Sequence, residues 1–130
     1  MTLRSAYFSD WRGSPTVLFW RDAVGMRELL NFLRSPLTAS SERSLEAFCI
    51  SVDGRRITVR AVSDERDAGM RLAQTGLEWR LHPDLAEDFA HKVDQLTSTD
   101  AGHQYLDASG NEVAVEVSIG EYPEALNPIR

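Results

Sequence analysis

Apolar and polar residues alternate on both sides of a glycine turn in the middle of the chain. Residues 48–52 and 56–61 each alternate, and Asp53-Gly54 between them is a favoured two-residue hairpin turn, because both positions tolerate positive φ. The pattern predicts a hairpin in which Ile50 pairs with Ile57, so that the apolar residues share one face. The opposite face then carries the polar residues Cys49, Ser51, Arg56, Thr58 and Arg60.

A second alternating segment, residues 102–119, reads GHQYLDASGNEVAVEVSI and also predicts a hairpin. A turn at Ser109-Gly110 would place Asp107 opposite Glu112, which is an unfavourable like-charge pair. A turn one residue later avoids this and pairs Asp107 with Ala114, and we favour that register. One face is apolar, with Val113, Val115, Val117 and Ile119. The other face carries His103, Tyr105, Asp107, Ala114, Glu116 and Ser118.

Two segments have apolar residues at helical spacing. The first runs from about Asp22 to Arg34, with Asp22 as N-cap and Ser35-Pro36 as the stop. The second begins at His82-Pro83, with proline at the first helical position. The polar face of the second helix carries Asp84, Glu87, Asp88 and Asp94.

The order strand, helix, hairpin occurs at residues 16–62 and again at 77–119. The pattern predicts one α+β domain, residues 1–130, made of two βαββ-like units. These units would form a mainly antiparallel sheet with two amphipathic helices packed on one face. Duplication and convergent patterning both fit this similarity. The open face of the sheet would be charged, and its candidate binding residues are Arg56, Arg60, His103, Tyr105 and Glu116.

Composition and charge narrow the function classes. The 130 residues are 42% hydrophobic and 26% charged, which is typical of a globular protein. We see neither a membrane-spanning apolar run nor a signal peptide, and there is one cysteine, so we expect a cytoplasmic protein. The predominance of arginine over lysine suggests a GC-rich bacterial source. The net charge is +3 over residues 1–60 and −9 over residues 61–130, which disfavours nucleic-acid binding and suits a basic partner.

No catalytic motif is recognisable, so we do not expect an enzyme. His82 and His91 are nine residues apart, which places them on opposite sides of a helix, and we expect neither a metal nor another cofactor. Cys49 lies in a predicted strand, without the surroundings that lower a thiol pKa.

A strand, an amphipathic helix, the strand GHQYLD and a valine-rich strand ending at GEYP follow one another over residues 77–123. This third of the chain resembles small, uncharacterised bacterial proteins, some of which are immunity proteins of polymorphic toxin systems. The resemblance implies binding and occlusion rather than catalysis. We therefore expect a protein partner, such as a basic toxin, held by the face around Glu87 and Asp88 or by the open sheet face. Two alternatives are a small anion bound by Arg56, Arg60, His103 and Tyr105, and a homodimer formed through a sheet edge.

Overall fold

Nine strands and two helices form the part of the chain that the computed structural model describes, residues 3–36, 42–123 and 126. In chain order they are β1 (Leu3–Trp11), β2 (Ser14–Arg21), α1 (Ala23–Arg34), β3 (Glu42–Ser44), β4 (Cys49–Ser51), β5 (Arg56–Ala61), β6 (Gly69–Ala73), β7 (Gly76–Leu81), α2 (Pro83–Leu96), β8 (Gly102–Tyr105) and β9 (Ala114–Ile119). A 3₁₀ turn, Glu65–Asp67, precedes β6. The predicted α+β class is confirmed. Neither helix is long and apolar enough to cross a bilayer.

The strands belong to two sheets rather than to the single sheet expected from the sequence. Sheet A has the order β4-β1-β2-β9-β8, and sheet B has the order β3-β5-β7-β6. Four strand pairs are antiparallel and three are parallel, so antiparallel pairing predominates.

Each sheet combines strands from both halves of the chain. In sheet A, the hairpin β1-β2 meets β9 in parallel, and β8 follows antiparallel. In sheet B, the hairpin β6-β7 meets β5 in parallel, and β3 follows antiparallel. Apart from β4, the two sheets therefore have the same arrangement of parallel and antiparallel strand pairs. After each helix, the chain adds strands to the hairpin of the other half: β9 pairs with β2, and β5 pairs with β7. The sequence pattern therefore suggested two units but did not show how their strands pair.

Both helices begin at the predicted caps. The Asp22 carboxylate accepts a hydrogen bond from the Gly25 amide at 2.9 Å, which starts α1, and Ser35 ends that helix. His82 caps α2, because its Nδ1 accepts a hydrogen bond from the Asp84 amide at 3.2 Å. These local signals depend only on neighbouring residues, so they could be recognised in the sequence.

The main core lies between the two sheets and the helices. The α1 helix packs on α2, on β1 and on β2, whereas α2 also contacts β8 and β9. Trp79 of β7 is fully buried, with its ring centroid 5.5 Å from that of Phe19 and 6.2 Å from that of Phe89. This stack joins sheet A, sheet B and α2 in one hydrophobic core.

The predicted hairpin at Asp53-Gly54 is wrong. β4 pairs in parallel with β1, placing Ile50 beside Arg4, whereas Ile57 lies beside Leu77 in sheet B. The Asp53 carboxylate instead accepts a hydrogen bond from the Tyr7 amide of β1 at 2.8 Å. The segment therefore crosses from one sheet to the other instead of folding back on itself.

The favoured register of the second hairpin is confirmed. His103 lies opposite Ser118 and Tyr105 opposite Glu116, which is the register that pairs Asp107 with Ala114. The turn itself is wider than two residues, because the amides of Gly110 and Glu112 bond to the β6 region instead of closing a tight loop. The Gly110 amide donates to the Ala68 carbonyl at 2.8 Å, for example.

Candidate binding site

The face of sheet A that points away from the main core carries a buried carboxylate, a histidine and several aromatic side chains. We call it the outer face of sheet A. One row across it runs Ala6, Leu18, Glu116 and Tyr105, and the next row runs Arg4, Trp20, Ser118 and His103. A second apolar cluster covers part of this face: Ala6, Phe8, Leu18 and Trp20, with Trp11, Tyr122 and Leu126 packed against them.

Glu116 lies on β9, next to the edge strand β8, and is fully buried. Its Oε1 accepts a hydrogen bond from the Trp11 indole nitrogen at 3.3 Å and lies 4.0 Å from Nη1 of Arg12. Its Oε2 has no hydrogen-bond partner within the described part of the chain. A buried carboxylate is unfavourable unless it is paired or hydrogen-bonded, so this arrangement needs a reason.

Glu116 was expected on an open, solvated face of the sheet, and that expectation is wrong because its side chain is fully buried. β9 is an inner strand between β2 and β8, and Trp11 and Tyr122 lie over its outer side. One signal in the sequence could have indicated this. The run Val17-Leu18-Phe19-Trp20 is apolar at every position, which is typical of a strand buried on both faces.

Arg12 joins the site from the β1–β2 turn, and sequence reasoning missed it. Its guanidinium donates hydrogen bonds to the hydroxyl of Tyr105 at 3.3 Å and to that of Tyr122 at 2.7 Å. The bond to Tyr105, then the electrostatic influence of Tyr122 and Glu116, raises the pKa of Arg12 above its usual value. Burial, followed by the nearby Glu116 carboxylate, raises the pKa of Tyr122. The hydroxyl of Tyr122 therefore stays protonated at neutral pH.

His103 belongs to a neighbouring polar cluster. Its Nδ1 lies 3.0 Å from Oε1 of Glu121, and the Ser118 hydroxyl donates to the same oxygen at 2.7 Å. Burial acts to raise the pKa of Glu121, but the hydrogen bonds from Ser118 and His103 outweigh it and hold that pKa below its usual value. The serine donates to the carboxylate and not to the imidazole, so the cluster lacks the serine–histidine contact that activates a nucleophile.

Arg56 and Arg60 lie in sheet B, apart from His103, Tyr105 and Glu116 in sheet A, so the predicted shared face does not form. Each arginine is paired with carboxylates. Arg56 pairs with Glu46 at 2.5 Å. Arg60 contacts Glu42 and lies 3.8 Å from Glu78. The groove beside Arg56 on this sheet has a volume of about 490 Å³.

Glu87 and Asp88 lie on the exposed side of α2, as predicted. Neither makes an ion pair within the described residues. Beside Asp88, a groove of about 440 Å³ runs between α2 and β8, and Asp107 is among its other lining residues. Lys92 also lines this groove, and its Nζ donates to the Tyr105 carbonyl at 2.8 Å.

One group of potential metal ligands occurs in the described part of the chain: Glu65, His82 and Asp84, whose ligand atoms lie within 4.8 Å of one another. The Nδ1 of His82 is already the acceptor that caps α2. Both carboxylates are exposed. Exposed acidic residues are common beside a helix N-terminus without a metal, because the positive end of the helix dipole stabilises their negative charge.

No family model, curated protein or solved structure matches this chain.

Proposed function

We propose that the protein acts by binding a basic protein partner through the exposed face of α2, as an immunity protein binds a toxin. The observation that carries this proposal is the adjacent pair Glu87 and Asp88. Both are exposed, and neither has an ion-pair partner in the residues that the structure describes.

The charges of Glu87 and Asp88 are available to a partner, because no ion pair within the described residues neutralises them. Asp84 is 4.0 Å from His82 Nδ1 and Asp94 is 3.9 Å from Arg34, whereas Glu87 and Asp88 have no such contact in the described residues. The chain as a whole carries a net charge of −6. An uncompensated acidic surface attracts a cationic partner over several ångströms and accelerates their encounter.

The groove between α2 and β8 supplies a second element of recognition. Its lining includes the half-buried Leu85, together with Asp88 and Asp107. Lys92 also lines the groove, with its Nζ bound to the Tyr105 carbonyl, so the two carboxylates and the apolar Leu85 are the groups that suit an aliphatic side chain ending in a cation.

The anion-binding alternative has less support. Arg56 and Arg60 were its cationic residues, and both already contact carboxylates. They also lie in a different sheet from His103 and Tyr105.

The first test is a pull-down from a lysate of the source organism at low salt, with three immobilised baits. These are the wild type, the double variant E87K/D88K and the matched control D67K/E112K. The control changes the net charge equally at two other exposed positions. We expect one basic protein in stoichiometric amount on the wild type and the control, and little on E87K/D88K.

An empty wild-type column, or equal retention by all three baits, would contradict the proposal. The immunity role has its own readout. Expression of the captured protein should arrest growth, and co-expression of the wild type, but not of E87K/D88K, should relieve the arrest.

A further inference from the structure

The surroundings of Glu116 have the geometry of a cation-binding cage. The rings of Trp11 and Tyr122 meet nearly edge to face, with centroids 5.3 Å apart and an interplanar angle of 70°. Cζ of Arg12 lies 5.9 Å from the Trp11 ring centroid, within the range of a cation–π interaction. Aromatic walls, phenolic oxygens and a carboxylate are the groups that recognise an organic cation.

The carboxylate in this cage is incompletely paired. Glu116 is fully buried, yet its Oε2 has no hydrogen-bond partner among the described residues. Nη1 of Arg12 stays 4.0 Å from Oε1, which is beyond a hydrogen bond. A buried acceptor without a donor is costly, so a cation that approached more closely than Arg12 would gain free energy.

The contacts of the Arg12 side chain allow it to move away from Glu116. Its side chain is 53% exposed, and its hydrogen bonds go to the neutral hydroxyls of Tyr105 and Tyr122. Water can replace these two hydrogen bonds at little cost. The departure of Arg12 also takes a positive charge away from buried Glu116, so it is favourable when another cation takes its place. Arg12 also lies in the turn between β1 and β2, where its φ is 54° and that of Gly13 is 88°. A turn side chain can swing into solvent without disturbing either strand.

We propose that this cage, formed by Trp11, Tyr105, Glu116 and Tyr122, is a binding site for an external guanidinium group. In the free protein, the chain's own Arg12 occupies the cage. The Arg12 guanidinium already occupies a position 4.0 Å from Oε1 of Glu116, so a ligand can take that position once Arg12 has moved. A guanidinium that is not tethered to the β1–β2 turn is then free to turn toward the carboxylate. The ligand is either a small guanidinium compound or the arginine side chain of another protein. This site lies on the outer face of sheet A, so the inference does not depend on the acidic face of α2.

The test measures methylguanidinium binding by calorimetry to the wild type and to the variant Arg12→Gly. Glycine is favourable at a φ of 54°, so this variant removes the side chain without straining the turn. If Arg12 occupies the cage about nine-tenths of the time, its removal should tighten binding about tenfold. Methylurea, which has a similar shape and no charge, should not bind either protein.

Two further variants test the cage itself in the Arg12→Gly background. E116Q should abolish methylguanidinium binding because it removes the negative charge. Y122F should weaken binding because it removes one hydroxyl acceptor, and it keeps the proposal testable if E116Q fails to fold. Circular dichroism confirms that each variant is folded.

The proposal is overturned if Arg12→Gly binds methylguanidinium no more tightly than the wild type, if methylurea binds equally well, or if neither E116Q nor Y122F weakens binding. The two ligand sources are distinguished with a short acetylated arginyl peptide amide. Equal binding of the peptide and methylguanidinium to Arg12→Gly supports an arginine side chain. Binding of methylguanidinium alone supports a small compound.

Discussion

Glu116 and Cys49 show how the environment of one residue determines its chemistry. Glu116 is a carboxylate in a covered site with Trp11, Arg12 and Tyr122 around it, which makes it a candidate for recognising a cation. Cys49 is a thiol in the main core, where burial, only partly opposed by a hydrogen bond with Ser5, raises the pKa of the thiol to about 11. Glu116 is thus the proposed contact for a cation, whereas the raised pKa of Cys49 keeps its thiol protonated at neutral pH.

Cys49 should therefore be unreactive in the folded protein. At pH 8 a pKa of about 11 leaves only about one thiol in a thousand ionised, and the thiolate is the reactive form. We expect labelling by iodoacetamide at pH 8 to be at least about a hundredfold slower in buffer than in denaturing urea. Mass spectrometry over a time course measures both rates. Comparable rates would show that Cys49 is exposed or activated.

Residue identity was only partly informative about the candidate site. Parity along the strand correctly placed His103, Tyr105 and Glu116 on one face of the sheet. It could not reveal that this face is covered, because the covering residues come from the β1–β2 turn and from the segment after β9. Nothing in the sequence marked Arg12 as a residue of the site, since an arginine next to a glycine in a turn is common.

At the level of elements, the segment between β4 and β5 determines how the two sheets are connected. Asp53 accepts hydrogen bonds from the Tyr7 amide at 2.8 Å, the Ser51 hydroxyl at 3.0 Å and the Arg55 amide at 3.1 Å. The Val52 amide also donates to the Ser5 carbonyl at 2.9 Å. These bonds attach the segment to β1 and direct the chain onward into sheet B.

Removing the Asp53 carboxylate should destabilise this connection. We expect Asp53→Ala to lower the free energy of unfolding by about 1–3 kcal/mol, because several donors lose their acceptor. Urea denaturation followed by circular dichroism measures the change. The control Asp67→Ala removes an exposed carboxylate from the 3₁₀ turn and should stay within about 0.5 kcal/mol of the wild type. Equal stability of the two variants would mean that Asp53 does not anchor the segment.

Both helices and the strands beside the two glycine turns were predictable because their signals are local. The caps at Asp22 and at His82-Pro83 depend on adjacent residues, and the sequence shows them directly. Strand pairing is not local. The Asp53-Gly54 dipeptide favours a hairpin by itself, but the bonds to β1 and the pairing of buried Ile57 with Leu77 in sheet B outweigh that preference.

At the level of the whole molecule, two features act together. The halves exchange their last strands, so each sheet depends on residues from both halves. The halves differ in charge, with +3 over residues 1–60 and −9 over residues 61–130. This arrangement combines an interlocked scaffold with an acidic surface on α2. A scaffold of this kind favours recognition by a preformed surface, because little order has to be gained on binding.

The most direct test of partner binding by α2 is the association rate of the captured partner, measured by stopped-flow fluorescence at increasing ionic strength. Salt screens charges over about 10 Å at 0.1 M, so steered association should slow as salt is added. We expect the wild type to associate about tenfold faster than E87K/D88K at low salt, with the two rates converging at high salt. Identical rates and identical salt dependence for both proteins would contradict the claim that the acidic face of α2 binds the partner.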